Sequence, residues 1–417
     1  MNYLSTTGIH RADLRTAVLR PAAPDGSLYL PEKLPALPGA FINNMADMTA
    51  GEVSFAVCNM LLDGEIEGPV LRTVLNQAFS DPMPLKATSG GLYVAELFHG
   101  PTLSYKDAGA RFATGILGHM LKDERKNVLG IVSTTGNTGA ALAATFRQNM
   151  PHGARLLVLY PTGKMTRAQI SQFTTPGNHV HAVEVNGTID DCRALAARLV
   201  QDIERERPDI IPLPLNSANI LRVIPQTAMF FNIYSSLMRH GIKAAGFRAV
   251  IPSGNLTNVT AALMARRMGL PAGDIVAVTA KDSTYARAIA SGSDIVNLER
   301  AHRLSSSPAE VTNVNVSDAQ ISEAVRTSGD YLPDPHAAAA LAAAAELPET
   351  DAPTVVLGTA HPAKSLDAMT AITGRAMELP LQLTNFMHNT RAAARIAPSI
   401  TALKKYLSSA LDTGVNR

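Results

Sequence analysis

The sequence predicts an α/β fold built on mainly parallel sheets with flanking helices. Three observations carry that expectation. Short apolar runs such as Val128–Ser133, Leu156–Tyr160 and Thr354–Gly358 alternate with stretches of helical periodicity, the order of a parallel sheet covered on both faces. Loops rich in glycine, asparagine and threonine follow several of these runs, and ligands of such sheets sit outside the carboxyl ends of the strands. Only 17% of the 417 residues are charged while 46% are apolar, a balance that suits a large buried core.

Residues 1–90 read as an amino-terminal unit. Asp25-Gly26 breaks the chain, Ser27–Pro31 is extended, and Pro31, Pro35 and Pro38 exclude a helix there. Helical patterns follow at Thr49–Leu62 and Gly68–Phe79. Tyr93–Phe98 reads as a strand, Gly100-Pro101 as a turn, and Asp107 opens a helix running toward Met120. Strand Val128–Ser133 stops at Thr134-Thr-Gly-Asn-Thr-Gly139, and a helix starts at Ala140. Leu156–Tyr160 is a buried strand before a helix through Phe173, and Val180–Val185 precedes a helix capped by Thr188 that runs to about Glu204. A helix near Ile224–Arg239, strand Phe247–Ser253, a helix through Met268 and strand Ile275–Thr279 come next. From Ala288 to Asp318 the pattern is weak and reads as loops with short helices. Pro335 then leads an alanine-rich helix, and strand Thr354–Gly358 ends in Thr359-Ala-His-Pro-Ala-Lys364.

The net charge of +2 gives no reason to expect nucleic acid or an anionic membrane as a partner. Cys58 and Cys192 are far apart in sequence and read as buried, reduced thiols. The histidines are scattered without ligand spacing, so no metal site is expected. With no secretory signal and no apolar run long enough for a bilayer, a soluble cytoplasmic protein is expected, a monomer or a homodimer.

Four stretches carry candidate chemistry besides an ordinary structural reading. In Phe98-His-Gly-Pro-Thr-Leu-Ser-Tyr-Lys106-Asp-Ala-Gly-Ala-Arg-Phe112, Lys106 stands at a helix mouth, where the positive partial charge depresses its pKa. Gly109 and Ala110 in the first turn would let something flat approach the backbone; the plain alternative is a solvated surface turn. The loop Gly254-Asn-Leu-Thr-Asn258, between strand and helix, is an anion site or a common connection. Thr134–Thr138 is a polar cradle or a capping loop. Arg222, in Asn216-Ser-Ala-Asn-Ile-Leu-Arg222, is a phosphate ligand or a surface charge, and its planar fork suits phosphate.

The Lys106 stretch resembles the cofactor-lysine motif of the threonine synthases, F-H-G-P-T-x-x-F/Y-K-D-x-G-x-R-F. Further strings are similar to that family's from about Ser27 to the carboxyl end. The resemblance implies a tryptophan-synthase-β-like fold (fold type II) that binds pyridoxal 5'-phosphate, with a catalytic region over 91–417 and a smaller mobile domain at about 113–179. It implies that Lys106 holds the cofactor and that Gly254, Asn255, Leu256, Thr257 and Asn258 hold its phosphate. Thr257 stands where the family has a second glycine, so its hydroxyl becomes a candidate donor and its Cβ a restriction on the loop. Asn137 is implied as the partner of the ring's phenolic oxygen and Thr359 as the neighbour of its pyridine nitrogen. Thr134, Thr135 and Thr138 are implied as contacts to substrate carboxylate or phosphate. Asn216, Ser217 and Arg222, with Lys164 as a lesser candidate, are implied for the substrate's phosphate. His336, in Asp334-Pro-His-Ala-Ala, is a pocket residue or a structural histidine.

The activity implied is conversion of the small amino acid O-phospho-L-homoserine and water to L-threonine and phosphate. Lys106 would shuttle protons while the cofactor acts as electron sink. A specialised paralogue acting on another phosphorylated or acylated amino acid, such as O-phosphoserine, is the alternative enzyme. A ligand-binding regulator without catalysis is the alternative class, against which the intact Lys106, Asn137 and Thr359 speak.

Overall fold

The computed structural model describes residues 2–88, 91–151, 153–163, 165–174, 179–242, 246–281, 298–305, 307, 310–388 and 391–412. Its strands are β1 (Tyr3–Ser5), β2 (Arg11–Ala12), β3 (Tyr29–Pro31), β4 (Leu85–Ala87) and β5 (Tyr93–Glu96). Then come β6 (Asn127–Ser133), β7 (Arg155–Pro161), β8 (Val180–Val185) and β9 (Ile210–Pro214). The last are β10 (Phe247–Pro252), β11 (Ala272–Ala280), β12 (Val311–Val316), β13 (Thr354–Gly358) and β14 (Ala394–Ile396). The chain divides into two units, Met1–Phe112 with Ser217–Glu378, and Ala113–Asn216 with Leu379–Arg417.

The first unit is built on a sheet of order β12-β11-β10-β13-β5-β4, parallel from β12 to β5 and closed by antiparallel β4. Its central strands β10, β11 and β13 are mainly apolar because both faces are covered. The alanine-rich helix Pro335–Glu346 covers one face, and its Ala339, Ala340, Ala343 and Ala344 share a core with Val94, Val250, Val276 and Val356. The helix Ile224–Arg239 is buried from Ile224 to Leu237, as a helix apolar on all sides must be. Two of its polar side chains find buried partners: Asn232 donates to Ser54 Oγ and Ser235 donates to the Met45 carbonyl, both at 2.8 Å. A three-stranded antiparallel sheet, β2-β1-β3, completes the unit, and the buried Tyr3 hydroxyl donates to the Leu61 carbonyl at 3.2 Å.

The second unit holds a sheet of order β14-β8-β7-β6-β9, parallel throughout. Its core joins Leu129, Leu157 and Val183 to Leu199 of the helix Ile189–Glu206 and to Leu403. Thr188 and Asp191 form the expected capping box at that helix. The unit that begins at Ala113 runs past residue 179 to Asn216, because β8 and β9 are members of the sheet that β6 and β7 begin.

The mainly parallel α/β fold is borne out, with one stretch corrected. The described part of 288–318 contains the helix Leu298–Leu304 and a strand, β12, that pairs in parallel with β11 from Val311 to Val316. As an edge strand it exposes Thr312, Asn313 and Asn315, so it lacks the continuous apolar run of a central strand. The other outer strands of the two large sheets, β4, β9 and β14, were absent from the sequence reading for the same reason. Pro212 and Pro214 further disguise β9, and an edge is where a sheet tolerates proline.

Close packing in the second unit yields a test. A Cβ at Gly118 would overlap the carbonyl oxygen of Asn149, a backbone atom that cannot swing away. Gly118→Ala is therefore expected to destabilise the protein by about 1–3 kcal/mol, the usual range for overpacking. Gly39→Ala, whose Cβ meets nothing within 4 Å, should stay within about 0.5 kcal/mol of the parent in the same denaturant titration.

Candidate active site

Three neighbouring parallel strands of the first unit, β10, β13 and β5, end on the same edge of the sheet, and each is followed by a loop singled out in the sequence. The loop after β5 leads to Lys106, the first residue of the helix Lys106–Met120. It is stitched to the loop after β13: Tyr105 N–H donates to the Thr359 carbonyl at 3.0 Å, and His361 N–H to the Leu103 carbonyl at 3.1 Å. Leu103 adopts a left-handed φ of 57°, a conformation costly for a side chain and held by these bonds. Lys106 and Thr359, 253 residues apart in sequence, are thereby brought to one place.

Lys106 is buried, its amine 4.3 Å from the centroid of the Tyr105 ring. Burial first, and the Arg222 guanidinium second, hold the amine well below the ordinary lysine range, which favours its neutral form. Arg222 is itself 2% exposed. Burial pulls it down to about 10, opposed by Tyr105 and Asp107, so it stays cationic. Both its terminal nitrogens lack a hydrogen-bond partner among the described residues. Gly109 faces Arg222: a Cβ there would stand 3.9 Å from Arg222 Cζ and from Pro225 Cγ, an ordinary van der Waals contact.

Beneath the lysine lies a polar network that sequence reading did not anticipate. The buried Asp107 carboxylate accepts from Thr102 N–H at 3.0 Å and from the Thr102 hydroxyl. Burial raises its pKa against the pull of those bonds. Lys364 Nζ donates to the Thr102 carbonyl at 2.7 Å, and burial lowers this amine to about 7, with Asp107 opposing. Lys364 closes the quoted Gly358–Lys364 string, but nothing in a string tells which of its charges is buried.

The loop after β10 exposes Gly254 and half-buries Asn255 before the helix Thr257–Arg267. Asn255 Oδ1 accepts from both Thr257 N–H, at 3.2 Å, and the Thr257 hydroxyl, at 2.8 Å. That hydroxyl therefore braces the loop through Asn255. The conformational restriction falls on Leu256, at φ 54°, rather than on Thr257. Asn258 is buried in the first turn, where unpaired helix N–H groups favour an anion. His336 is exposed, its backbone N–H bound by Asp334.

In the second unit, Thr134–Thr138 follows β6 and Asn216 follows the neighbouring β9, again at carboxyl ends of one parallel sheet. Thr134 Oγ1 accepts from the N–H groups of Gly136 and Gly139, each at 3.0 Å, which shapes the turn. Thr135 is exposed and Thr138 half-buried. Asn137 opens the helix Asn137–Asn149, and its buried Oδ1 has no partner among the described residues. Asn216 and Ser217 are half-buried where the chain passes from one unit to the other. Lys164 lies outside the described residues. Asn219 of the same string is structural: it accepts from Leu221 N–H at 3.1 Å and donates to the Val18 carbonyl at 2.8 Å.

Comparison with known proteins converges on this arrangement. Residues 80–359 match the family model of pyridoxal-phosphate dependent enzymes. Residues 2–79 match that of the threonine synthase N terminus, and 337–407 that of the threonine synthase C-terminal region. A threonine synthase from Haemophilus influenzae is 31% identical over 390 residues, 88% of this chain and 89% of its own. The solved threonine synthase from Escherichia coli matches with a TM-score of 0.89 at 26% identity, covering 98% of this chain and all of its own. A pyridoxal-phosphate-bound threonine synthase from Brucella melitensis gives 0.87 at 26% identity, covering 98% and 99%. The fold and its strand-end loops are thus those of a pyridoxal-phosphate-dependent enzyme. Within that class the chain belongs to the threonine synthase family, the lyases named by these relatives. The donors present fit the cofactor, because a buried amine held below the ordinary lysine range suits its aldehyde and a helix amino end behind Gly254 suits its phosphate.

The Lys364 amine makes stability depend on pH. Below about pH 7 both folded and unfolded chains hold its proton; between there and the unfolded lysine value near 10.4, only the unfolded chain does. Its contribution therefore becomes more favourable to the fold as pH rises through that window. Relative to Lys364→Met, the parent should gain up to about 1.4 kcal/mol per pH unit there in denaturant unfolding. A difference that stays flat with pH contradicts the buried-amine account.

Proposed function

We propose that the protein converts O-phospho-L-homoserine and water to L-threonine and inorganic phosphate by a β,γ-replacement. The observation that carries this reading is Arg222: a fully buried guanidinium, both terminal nitrogens without a partner among the described residues, beside the desolvated Lys106 amine. A desolvated, unpaired guanidinium is costly unless an anion completes it, and its planar fork matches a phosphate.

The cofactor, when bound, supplies an electron sink for charge developing on the substrate. On this reading Lys106 holds the cofactor, with Asn137 toward its ring oxygen and Thr359 toward its ring nitrogen. A neutral threonine hydroxyl, in place of a carboxylate, would offer that nitrogen no negative charge to stabilise a proton there. Gly254, Asn255, Leu256 and Asn258 take the cofactor phosphate through backbone N–H groups and the helix end. Thr134, Thr135 and Thr138 bind the substrate's carboxylate, and Asn216, Ser217 and Arg222 its phosphate, with Lys164 a further candidate.

The Lys106 amine, held below the ordinary lysine range, would take the proton from Cα. It then serves Cβ and Cγ as phosphate leaves and water adds at Cβ. Arg222 acts twice, neutralising the departing phosphate and keeping the Lys106 amine free of a resting proton. The reading makes the protein a cytoplasmic enzyme of small-molecule metabolism, a monomer or homodimer. Among the described residues no helix is long and apolar enough to cross a membrane.

Release of inorganic phosphate from O-phosphohomoserine, assayed beside O-phosphoserine, tests the proposal. The first should turn over and the second should not; the reverse order would assign the chain to a specialised paralogue. Arg222→Ala should raise KM for the phosphorylated substrate roughly tenfold or more, since hydrogen bonds to charged groups contribute about 1.5–3 kcal/mol. An unchanged KM would remove Arg222 from the phosphate site.

A further inference from the structure

Gln226 stands four residues beyond Arg222, in the first turn of the helix Ile224–Arg239. The backbone stays right-handed helical through Val223, which sets the two side chains one turn apart on the same face. Gln226 is 1% exposed, yet neither its amide nitrogen nor its amide oxygen has a hydrogen-bond partner among the described residues. A buried carboxamide with both ends unsatisfied is destabilising, and a fold keeps one where a ligand completes it.

The two side chains ask for different things. Arg222 offers donors only, which any oxyanion satisfies. Gln226 offers a donor and an acceptor on one planar group, and the acceptor needs an O–H or N–H. A phosphate with one protonated oxygen meets both demands, whereas a sulfate at neutral pH has no proton to give.

We propose that Gln226 is a specificity-determining residue of the substrate-anion subsite. Its Nε2 donates to a phosphate oxygen and its Oε1 accepts from the hydroxyl of a phosphate that keeps one proton, for a monoester the form below its second pKa of about 6, so that this form is preferred to sulfate. The inference rests on the reading of Arg222 as a phosphate ligand and adds to it the group that tells one tetrahedral anion from another.

The test uses the cofactor-loaded enzyme and inorganic phosphate and sulfate as competing ligands, with inhibition constants measured for the parent, Gln226→Met and Arg222→Ala. Met has nearly the shape of Gln without its polar atoms. The parent should favour phosphate by about threefold or more, as one hydrogen bond allows. In Gln226→Met the two constants should draw level, with the Tm of the ligand-free enzyme unchanged or higher, because an unpaired polar group has been removed. Arg222→Ala should weaken both anions together. If Gln226→Met keeps the preference for phosphate, or if its Tm falls, the carboxamide is structural and the inference is overturned while Arg222 stands. If Arg222→Ala also binds both anions as the parent does, the phosphate reading itself fails.

Discussion

Two buried cations cannot both keep their protons cheaply when they share one site, and the pairing of Lys106 with Arg222 settles which of them gives way. The guanidinium titrates far above the amine in water, so a common loss of hydration leaves arginine charged and shifts lysine toward its neutral form. A nucleophilic, proton-accepting lysine at neutral pH is what a pyridoxal-phosphate enzyme requires of its lysine. The helix mouth at which Lys106 stands points in the same direction, but desolvation and Arg222 are the larger causes. Much else near the sheet edge keeps this pair in place. The Thr359 loop ties down Tyr105, and Lys364 holds Thr102, which in turn holds Asp107.

The cost of such a site is borne by the fold around it. Lys106, Asp107, Arg222 and Lys364 are all nearly without solvent contact. Buried ionisable groups are tolerated where hydrogen bonds and neighbouring charges offset desolvation. The compensation is uneven. Asp107 and Lys364 are linked through Thr102, whereas Arg222 and Gln226 have unsatisfied atoms among the described residues. Stability has been given up at those two side chains, the pattern expected where a ligand supplies the missing partners.

How much was legible in the sequence follows burial closely. In the two large sheets the interior strands β5, β6, β7, β8, β10, β11 and β13 announced themselves as apolar runs, because they are covered on both faces. The edge strands β4, β9, β12 and β14 did not, since half of each faces away from the core or carries proline. The site was legible where a contiguous string carried it, as with Lys106, Gly254 and Thr359. It was illegible where meaning lay in burial or pairing between distant positions. The role of Thr257 as a brace for Asn255, the backing of Gly109 on Arg222, and the Lys364–Thr102–Asp107 chain are all of that kind. Sequence distinguishes a lysine from an arginine, but not a solvated charge from a desolvated one.

The central claim is therefore a protonation state, and it is measured at one carbon. In cofactor-free protein labelled at lysine Cε, the Lys106 resonance, assigned by its loss in Lys106→Arg, reports the amine's titration directly. Its midpoint should lie well below the ordinary value of about 10.4 and should rise in Arg222→Gln, where the second cation is gone. A midpoint near that ordinary value, or one that Arg222→Gln leaves in place, would contradict the account.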